Sequence, residues 1–296
     1  MTHHSPDRGL MAVSVYLPCI ERIDMKLKKL LFLAMAAASL CALPLMASCS
    51  GEAETDTAAE PAADGSYTLV EDGKLTVAAS LDFPPFENLN NGTVEGFEVD
   101  LMNAIAEKMG LECNYLPTMK FDTIIPAIVA GGTADVGVSG FTITPQREEE
   151  VDFSAPICDT NQCIVVLNGS DITDESMMAG KRIGAETGTT GLDWAKENLT
   201  DAQEIVAFDE YPAVFAALQS GQVAAVVLDK PVADYYIKIA YSDCQVVKEI
   251  PTGEQYGIAV SKDNPNLTAA IDDAIAQLEA DGTIDELNQK WFGTNA

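Results

Sequence analysis

The chain has 296 residues, 47% of them hydrophobic, so it can bury a sizeable core and is long enough for two modest domains. Its 46 Asp and Glu residues outnumber its 17 Lys and Arg residues and give a formal net charge of −29. Such a surface repels phosphate backbones, which excludes nucleic acid as a partner.

A targeting segment is predicted near the N-terminus. Three lysines among residues 26–29 precede an apolar run over 30–46, and two small residues at 47–48 come directly before Cys49. A basic stretch followed by an apolar one is typical of a signal peptide. The last positions resemble the lipobox of bacterial lipoproteins, in which the cysteine is acylated and becomes the new N-terminus. We therefore expect residues 1–48 to be a leader and lipoprotein signal peptide; the alternatives are an ordinary signal peptide and an uncleaved anchor.

Two further segments flank the predicted signal peptide. Residues 1–24 precede a more suitable start at Met25, which suggests an over-long N-terminus without a function. Residues 49–66 contain no aromatic side chain and are rich in Ala, Glu, Asp and Thr. Such a segment cannot bury enough apolar surface to fold. We predict a disordered acidic linker there.

The cysteines leave the disulfide state open and argue against a metal site. Cys158 and Cys163 are close in sequence and could pair if the backbone turns between them, since an exported protein can form disulfides. No CxxC motif occurs, and both histidines lie in the leader. The sequence therefore predicts neither a metal ion nor another cofactor.

Strands and helices alternate in the first part of the folded region. Apolar residues recur at helical spacing over 97–109, and Gly110 follows that segment as a helix terminator. The predicted elements are strands at 75–80, 112–116 and 134–139 and helices at 97–109 and 121–130.

The same alternation continues to the end of the chain. The predicted strands are 163–167, 182–185, 205–208, 224–228 and 256–260, and the predicted helices are 190–199, 211–220, 231–240, 266–280 and 283–291. This pattern favours an α/β fold with mostly parallel sheets. Ligands of open α/β sheets bind at the carboxyl ends of strands. Polar residues cluster at four such ends: 80–83, 139–142, 186–190 and Asp229.

Several short motifs occur in a fixed order between Leu75 and Gly293. They are Phe83-Pro84-Pro85-Phe86-Glu87, Gly96–Leu101, Ser139–Arg147, Val151–Ser154, Tyr256–Val260, Asp281–Thr283 and Lys290–Gly293. Together they resemble the pattern of family 3 solute-binding proteins, the polar amino acid receptors of ABC importers. The resemblance implies a two-lobed periplasmic-binding-protein-like type II fold, with two α/β lobes joined by two hinge strands. It places lobe 1 at residues 67–158 plus 254–296 and lobe 2 at 159–253, with hinge closure over the ligand.

One set of candidate site residues follows the third predicted strand. A guanidinium pairs with a carboxylate through two parallel hydrogen bonds, and the matching family arginine implies this role for Arg147. The alternative is a surface arginine paired with Glu150. By resemblance, Thr142 and Gly140, with Ser139 at the same strand end, contact the ligand carboxylate and ammonium. Turn chemistry is the alternative for these residues.

The second set lies in lobe 2. Gly188, Thr189 and Thr190 precede a helix, whose free N–H groups suit an anion. The resemblance implies that this turn binds the carboxylate, although Thr189 could serve only as the N-cap. The family residue matching Asp229 binds the ammonium; the alternative is a cap for the helix that starts near Pro231.

A third set of residues would contact the ligand's side chain. Phe83 matches an aromatic residue that packs on that side chain, and Phe121 is a second wall or a core residue. Ser80 stands where several relatives carry an aspartate. Glu186 faces either a polar side chain or solvent, and the direction of Asp82 is open. We expect a neutral or polar amino acid, with a basic one possible through Glu186.

The combined prediction is an exported, lipid-anchored binding protein that captures a free amino acid for an ABC importer. Its partners would be the ligand, the permease subunits and the membrane through the lipid, and the family suggests a monomer. Two alternatives share the fold. One is an exported dehydratase-like enzyme, which would need a general acid against its leaving group. The other is a sensory amino acid receptor.

Overall fold

The computed structural model describes residues 65–293. The predicted leader, the predicted lipidation site Cys49 and nearly all of the predicted linker lie outside the described residues. The strands are β1 Lys74–Ala78, β2 Asp82–Phe83, β3 Glu87–Asn90, β4 Thr93–Glu95, β5 Glu112–Tyr115, β6 Val136–Gly137, β7 Val151–Phe153, β8 Cys158–Leu167, β9 Arg182–Glu186, β10 Glu204–Phe208, β11 Ala225–Asp229, β12 Cys244–Tyr256 and β13 Ala259–Ser261. The helices are α1 Phe97–Met109, α2 Phe121–Ala130, α3 Pro145–Glu148, α4 Thr190–Asn198, α5 Tyr211–Gln219, α6 Lys230–Ile239, α7 Pro265–Asp281 and α8 Thr283–Phe292, with a short 3₁₀ helix at Glu175–Met178.

Two mixed five-stranded sheets form the centres of two lobes. The first has the strand order β5-β1-β6-β13-β7, and β1 runs parallel to both of its neighbours. The second has the order β10-β9-β11-β8-β12, and β9 runs parallel to both of its neighbours. Helices α1, α2 and α7 pack against the first sheet, and α4, α5 and α6 pack against the second. The predicted fold class, two α/β lobes joined by two strands, is confirmed.

The long strands β8 and β12 connect the lobes. They pair antiparallel from Cys244 opposite Leu167 to Tyr256 opposite Cys158. At the Tyr256 end the ladder passes into the first lobe, where the Ile157 N–H donates to the Tyr256 carbonyl at 2.9 Å. The chain therefore crosses between the lobes twice, and both crossings are extended strands that can bend as a hinge.

Helices α1 and α2 begin and end at the predicted residues. The start of α1 depends on Gly96, whose φ is 151°. A Cβ at this position would lie 2.0 Å from the Phe86 carbonyl oxygen, which no side chain could avoid because the neighbour is backbone. Gly110 ends the helix, as predicted, in a left-handed conformation.

The strand predicted at 256–260 is wrong. Tyr256 is the last residue of β12, and β13 begins only at Ala259. Between them the Gly257 N–H donates to the Phe141 carbonyl at 3.0 Å, so the chain leaves one sheet before it enters the next. The sequence shows a single apolar run because both sheets bury their residues. The strand predicted at 134–139 is also shorter, with only Val136–Gly137 paired.

Elements without an apolar pattern were not predicted. These are the small antiparallel sheet of β2, β3 and β4, the short α3 and β7, and most of β12, whose exposed residues alternate with partly buried ones. The possible disulfide between Cys158 and Cys163 is not formed. Both residues lie in the extended β8, so the turn that would bring their thiols together does not exist.

Candidate functional site

A pocket lies between the lobes, at the carboxyl ends of β1, β6, β9 and β11. The structure brings together every predicted site residue except Gly188 and adds Asp82. Gly188 lies beside the pocket and lines a wider groove that opens from it. The pocket is lined by Ser80, Asp82, Phe83, Phe121, Ser139, Gly140, Thr142, Arg147, Glu186, Thr189, Thr190 and Asp229.

Arg147 is held in the cleft by both lobes. Its Nη1 donates to the Thr142 carbonyl at 2.8 Å, and its Nη2 donates to the Gly188 carbonyl at 3.0 Å. Its guanidinium carbon lies 5.4 Å from the Phe121 ring centroid. Burial lowers the pKa of Arg147, while the charges of Asp229 and other acids oppose that shift, so the group remains a cation. Among the described ion pairs none joins Arg147 to Glu150.

Asp229 ends β11 and is 5% exposed. Its side chain makes no capping hydrogen bond to α6, so the alternative interpretation of Asp229 as a helix cap is not supported. Its Oδ1 instead accepts from the Tyr256 hydroxyl at 2.6 Å and from Gln162 Nε2 at 3.0 Å. Burial, with the nearby charge of Glu254, raises the pKa of Asp229 to about 7, against the Tyr256 hydrogen bond and the Arg147 charge.

Glu254 was not predicted as a site residue. Its Oε2 accepts from the Thr142 hydroxyl and from the Thr190 hydroxyl, each at 2.8 Å, and these threonines belong to different lobes. Gln162 Nε2 donates to the same oxygen at 3.3 Å. Because each hydroxyl carries one proton and directs it to Glu254, the lone pairs of Thr142 and Thr190 are left to accept from other groups.

The turn before α4 contains the N-cap that the sequence allowed. The Thr189 hydroxyl accepts from the Leu192 N–H at 3.1 Å and donates to the Glu186 carbonyl at 2.8 Å. These bonds hold Glu186 and Thr190 at the pocket wall. A role of this turn toward a ligand carboxylate stays a prediction.

The side-chain end of the pocket contains Ser80, Asp82, Phe83 and Glu186. The Ser80 hydroxyl donates to Asp82 Oδ1 at 2.7 Å, and the Tyr211 N–H donates to Asp82 Oδ2 at 3.3 Å. Asp82 therefore points inward and contacts the second lobe. Phe121 both lines the pocket and stacks on Phe141 with ring centroids 4.7 Å apart, so its two proposed roles, pocket wall and core residue, coexist.

The comparison with protein families identifies the family of the chain. Residues 75–294 match the profile of the bacterial extracellular solute-binding proteins, family 3. The chain belongs to this family. Its family 3 relatives include a protein named probable histidine-binding protein from Neisseria gonorrhoeae, 33% identical, over 87% of this chain and 94% of the relative. The ABC transporter arginine-binding protein 1 of Escherichia coli K12 is 31% identical, over 74% of this chain and 90% of the relative.

Solved structures agree with this assignment. An ancestral arginine-binding protein bound to arginine is 40% identical and superposes with a TM-score of 0.71, over 75% of this family 3 protein and 99% of its own chain. An ancestral amino acid-binding protein described as a precursor of cyclohexadienyl dehydratase is 36% identical, with a TM-score of 0.69, over 74% of this chain and 96% of its own.

A pair of buried acids supports the pocket wall of this family 3 protein from behind. Glu87 and Glu98 are each 1% exposed. Glu87 Oε1 accepts from the Ser139 hydroxyl at 2.7 Å, and Glu98 Oε2 accepts from the Gly140 N–H at 3.0 Å. Burial raises the pKa of both carboxyls, and the neighbouring Glu98 charge raises that of Glu87 further. A shared proton would satisfy the two oxygens that have no other partner among the described residues.

Gly140 is a position that only glycine fits. Its φ is 55°, and a Cβ there would lie 2.3 Å from Phe83 Cε1. We expect Gly140→Ala to displace the Phe83 ring and to cost about 1–3 kcal/mol of stability, measured by urea unfolding, together with a loss of ligand affinity. Gly131→Ala is the matched control, because φ is 70° there and nothing lies near the added Cβ. Equal behaviour of the two variants would contradict a steric role for Gly140.

Within residues 65–293, no cluster of three or more His, Cys, Asp or Glu side chains is arranged to hold a metal ion. No helix in the same range is both long enough and apolar enough to span a membrane.

Proposed function

We propose that this family 3 protein captures a free amino acid between its lobes and delivers it to an ABC importer. The observation that carries the proposal is the pairing of a two-pronged cation, Arg147, with a buried acid, Asp229, across one pocket. An amino acid needs these two partners for its carboxylate and its ammonium. The relatives named for histidine and arginine binding support the same class of ligand.

Capture occurs by closure of the lobes about β8 and β12. We assign residues 67–158 plus 254–296 to lobe 1 and residues 159–253 to lobe 2. Contacts across the cleft already join the lobes: Lys120 Nζ lies 2.5 Å from Asp209 Oδ2, and the Tyr236 hydroxyl donates to the Asp82 carbonyl at 2.6 Å. A ligand that binds residues of both lobes stabilises this arrangement by its differential affinity for it.

The test is a thermal-shift and calorimetric screen of the twenty amino acids on protein unfolded and refolded to remove ligand. At least one amino acid should raise the midpoint of unfolding, because ligand that binds only the folded state stabilises it. The proposal fails if none of them binds.

Glu254 is expected to weaken binding, because its charge lies beside the groups that receive the ligand carboxylate. Its replacement by Gln removes the negative charge that raises the pKa of Asp229. It also weakens the hydrogen bonds that direct the hydroxyl protons of Thr142 and Thr190 toward this residue. We expect Glu254→Gln to increase amino acid affinity by about threefold or more, read by calorimetry.

The control for this variant is Glu249→Gln on the same strand. Glu249 is exposed and accepts from Asn161 Nδ2 at 2.9 Å, away from the pocket. Its replacement should leave affinity unchanged. A lower affinity in Glu254→Gln would show that the acid supports binding instead of competing with it.

Export is consistent with a family described as extracellular. We propose in addition that lipid on Cys49 anchors the protein at the outer face of the cell membrane or in the periplasm, that it contacts permease subunits, and that it acts as a monomer. We also assign it a binding role and no catalytic one, although one structural neighbour is a dehydratase precursor. Turnover of a cyclohexadienyl acid by the purified protein would contradict that choice.

A further inference from the structure

The charges that line the pocket do not balance around a neutral amino acid. Three acids, Asp82, Glu186 and Asp229, line it, and Arg147 is its one basic lining residue among those described. The α-carboxylate and α-ammonium of a ligand would neutralise Arg147 and Asp229. Asp82 and Glu186 remain, and a ligand with an uncharged side chain brings nothing to offset them.

Glu186 is the acid that most lacks a partner. Its side chain is 3% exposed, and its Oε1 has no hydrogen-bond partner among the described residues. Asp82, in contrast, accepts from the Ser80 hydroxyl and the Tyr211 N–H. A buried carboxylate without a partner is costly, so Glu186 is either protonated or paired when a ligand is bound.

The two remaining acids come from opposite lobes. Asp82 lies on β2 in the first lobe, and Glu186 ends β9 in the second. After burial, the charge of Asp82 is the largest cause of the high pKa of Glu186, about 9, followed by Asp229, Asp122 and Glu210. Each carboxyl therefore disfavours the ionised form of the other, and a cation between them would favour both ionised forms and attract both lobes.

The surrounding surface suits an organic cation. Phe83 lines the pocket next to Asp82, and its ring centroid lies 5.6 Å from that of Tyr211. Aromatic faces attract ammonium and guanidinium groups. Tyr211 is itself buried, and its hydroxyl oxygen has no hydrogen-bond partner among the described residues.

We propose that the ligand is an amino acid with a cationic side chain, such as arginine, lysine or ornithine, and that Glu186 and Asp82 bind this cation between the lobes. This inference rests on the proposed function. It departs from the neutral or polar ligand expected from Ser80, because the acidity absent at that position is supplied by Asp82 and Glu186.

The test compares L-arginine with L-citrulline, which has nearly the same shape and no side-chain charge. Calorimetry on ligand-free protein should give an affinity for arginine at least about 100-fold higher. In Glu186→Gln the ratio of the two affinities should fall by at least about tenfold. Glu249→Gln removes an exposed acid that lies outside the pocket lining and does not act on Glu186, and it should keep the wild-type ratio.

Proton release gives an independent measurement. A carboxyl with a pKa of about 9 is protonated in the ligand-free protein at pH 7, and a bound cation favours its ionised form. Because Asp229 also ionises on binding, arginine should release about one proton more from the wild type than from Glu186→Gln, seen as a heat that changes with the ionisation enthalpy of the buffer. The charged or titratable neighbours that act on this equilibrium are Asp82, Asp122, Asp229, Glu210, Tyr211 and Tyr236.

The outcomes separate the two proposals. Equal or tighter binding of citrulline, glutamine or an apolar amino acid would overturn the cationic ligand and leave amino acid capture intact. Binding of no amino acid would overturn both. Arginine preference that survives in Glu186→Gln would show that the cation is recognised elsewhere in the pocket, and Glu186 would lose the role assigned to it.

Discussion

Arg147→Met is expected to remove amino acid binding almost completely. The variant keeps an extended side chain but loses the guanidinium, which is the one basic group in the described pocket lining. A carboxylate that enters the cleft then has no cation to replace its water, and the expected loss is about 2–5 kcal/mol of binding free energy. Calorimetry with the amino acid found in the screen measures this loss.

The matched control is Arg182→Met. Arg182 is a surface arginine whose Nε donates to Glu204 at 2.8 Å, and it lies outside the pocket. The Arg182→Met protein should bind the ligand with wild-type affinity. Thermal unfolding without ligand distinguishes a lost site from a lost fold, because Arg147 also joins the lobes through the Gly188 carbonyl. Wild-type affinity in a folded Arg147→Met protein would disprove the site.

Asp229→Asn is the second variant with a large expected effect. The amide keeps the shape of the side chain and can still accept from the Tyr256 hydroxyl, but it cannot offer a charge to the ligand ammonium. We expect an affinity loss of about 2–5 kcal/mol. In the wild type, affinity should fall as pH drops below about 7, because Asp229 becomes protonated there. The variant should lack this dependence.

The same substitution should stabilise the ligand-free protein. A carboxyl whose folded pKa is about 7, above its ordinary 3.8, favours the folded state while protonated and loses that contribution as pH rises. The advantage of Asp229→Asn should therefore grow from about pH 4 to pH 7 and remain constant above it. Unfolding in urea at a series of pH values measures the difference. A less stable variant at pH 8 would mean that the charge is better paired than the structure shows.

These opposite effects on stability and binding have one physical cause. Burial disfavours the charged form of Asp229, and a ligand cation would favour it. Glu186, at the end of the neighbouring strand β9, is in the same situation, with a pKa of about 9. We therefore expect a ligand of complementary charge to favour the ionised forms of both acids.

Some features were predicted from sequence because their signals are local. The limits of α1 follow from helical spacing and from the glycines on either side. Gly96 is required because the backbone of Phe86, ten residues earlier, leaves no space for a side chain. Arg147 and Asp229 follow strands whose carboxyl ends meet at one edge of each sheet. The family motifs then associated them with a ligand, and the structure places both in the pocket.

Other residues of the site could be identified only from the pairing of β8 with β12. Gln162, Glu254 and Tyr256 are far from Asp229 and Thr142 in sequence, and nothing in their local pattern indicates the pocket. The antiparallel register of β8 and β12 brings all three beneath it. The polar, half-exposed sequence of β12 does not resemble a buried strand, so the pairing itself could not be predicted.

The sequence by itself determined the two-lobed α/β fold, the family and the carboxylate-binding chemistry expected of Arg147, because hydrophobic periodicity and ordered motifs are properties of neighbouring residues. Only the tertiary structure decided the charge of the pocket. Ser80 indicated a less acidic pocket, yet Asp82 and Glu186, from different lobes, line the same pocket as Ser80. Electrostatic energy depends on the distance between charged groups and on their burial, and both are set by how the two lobes pack.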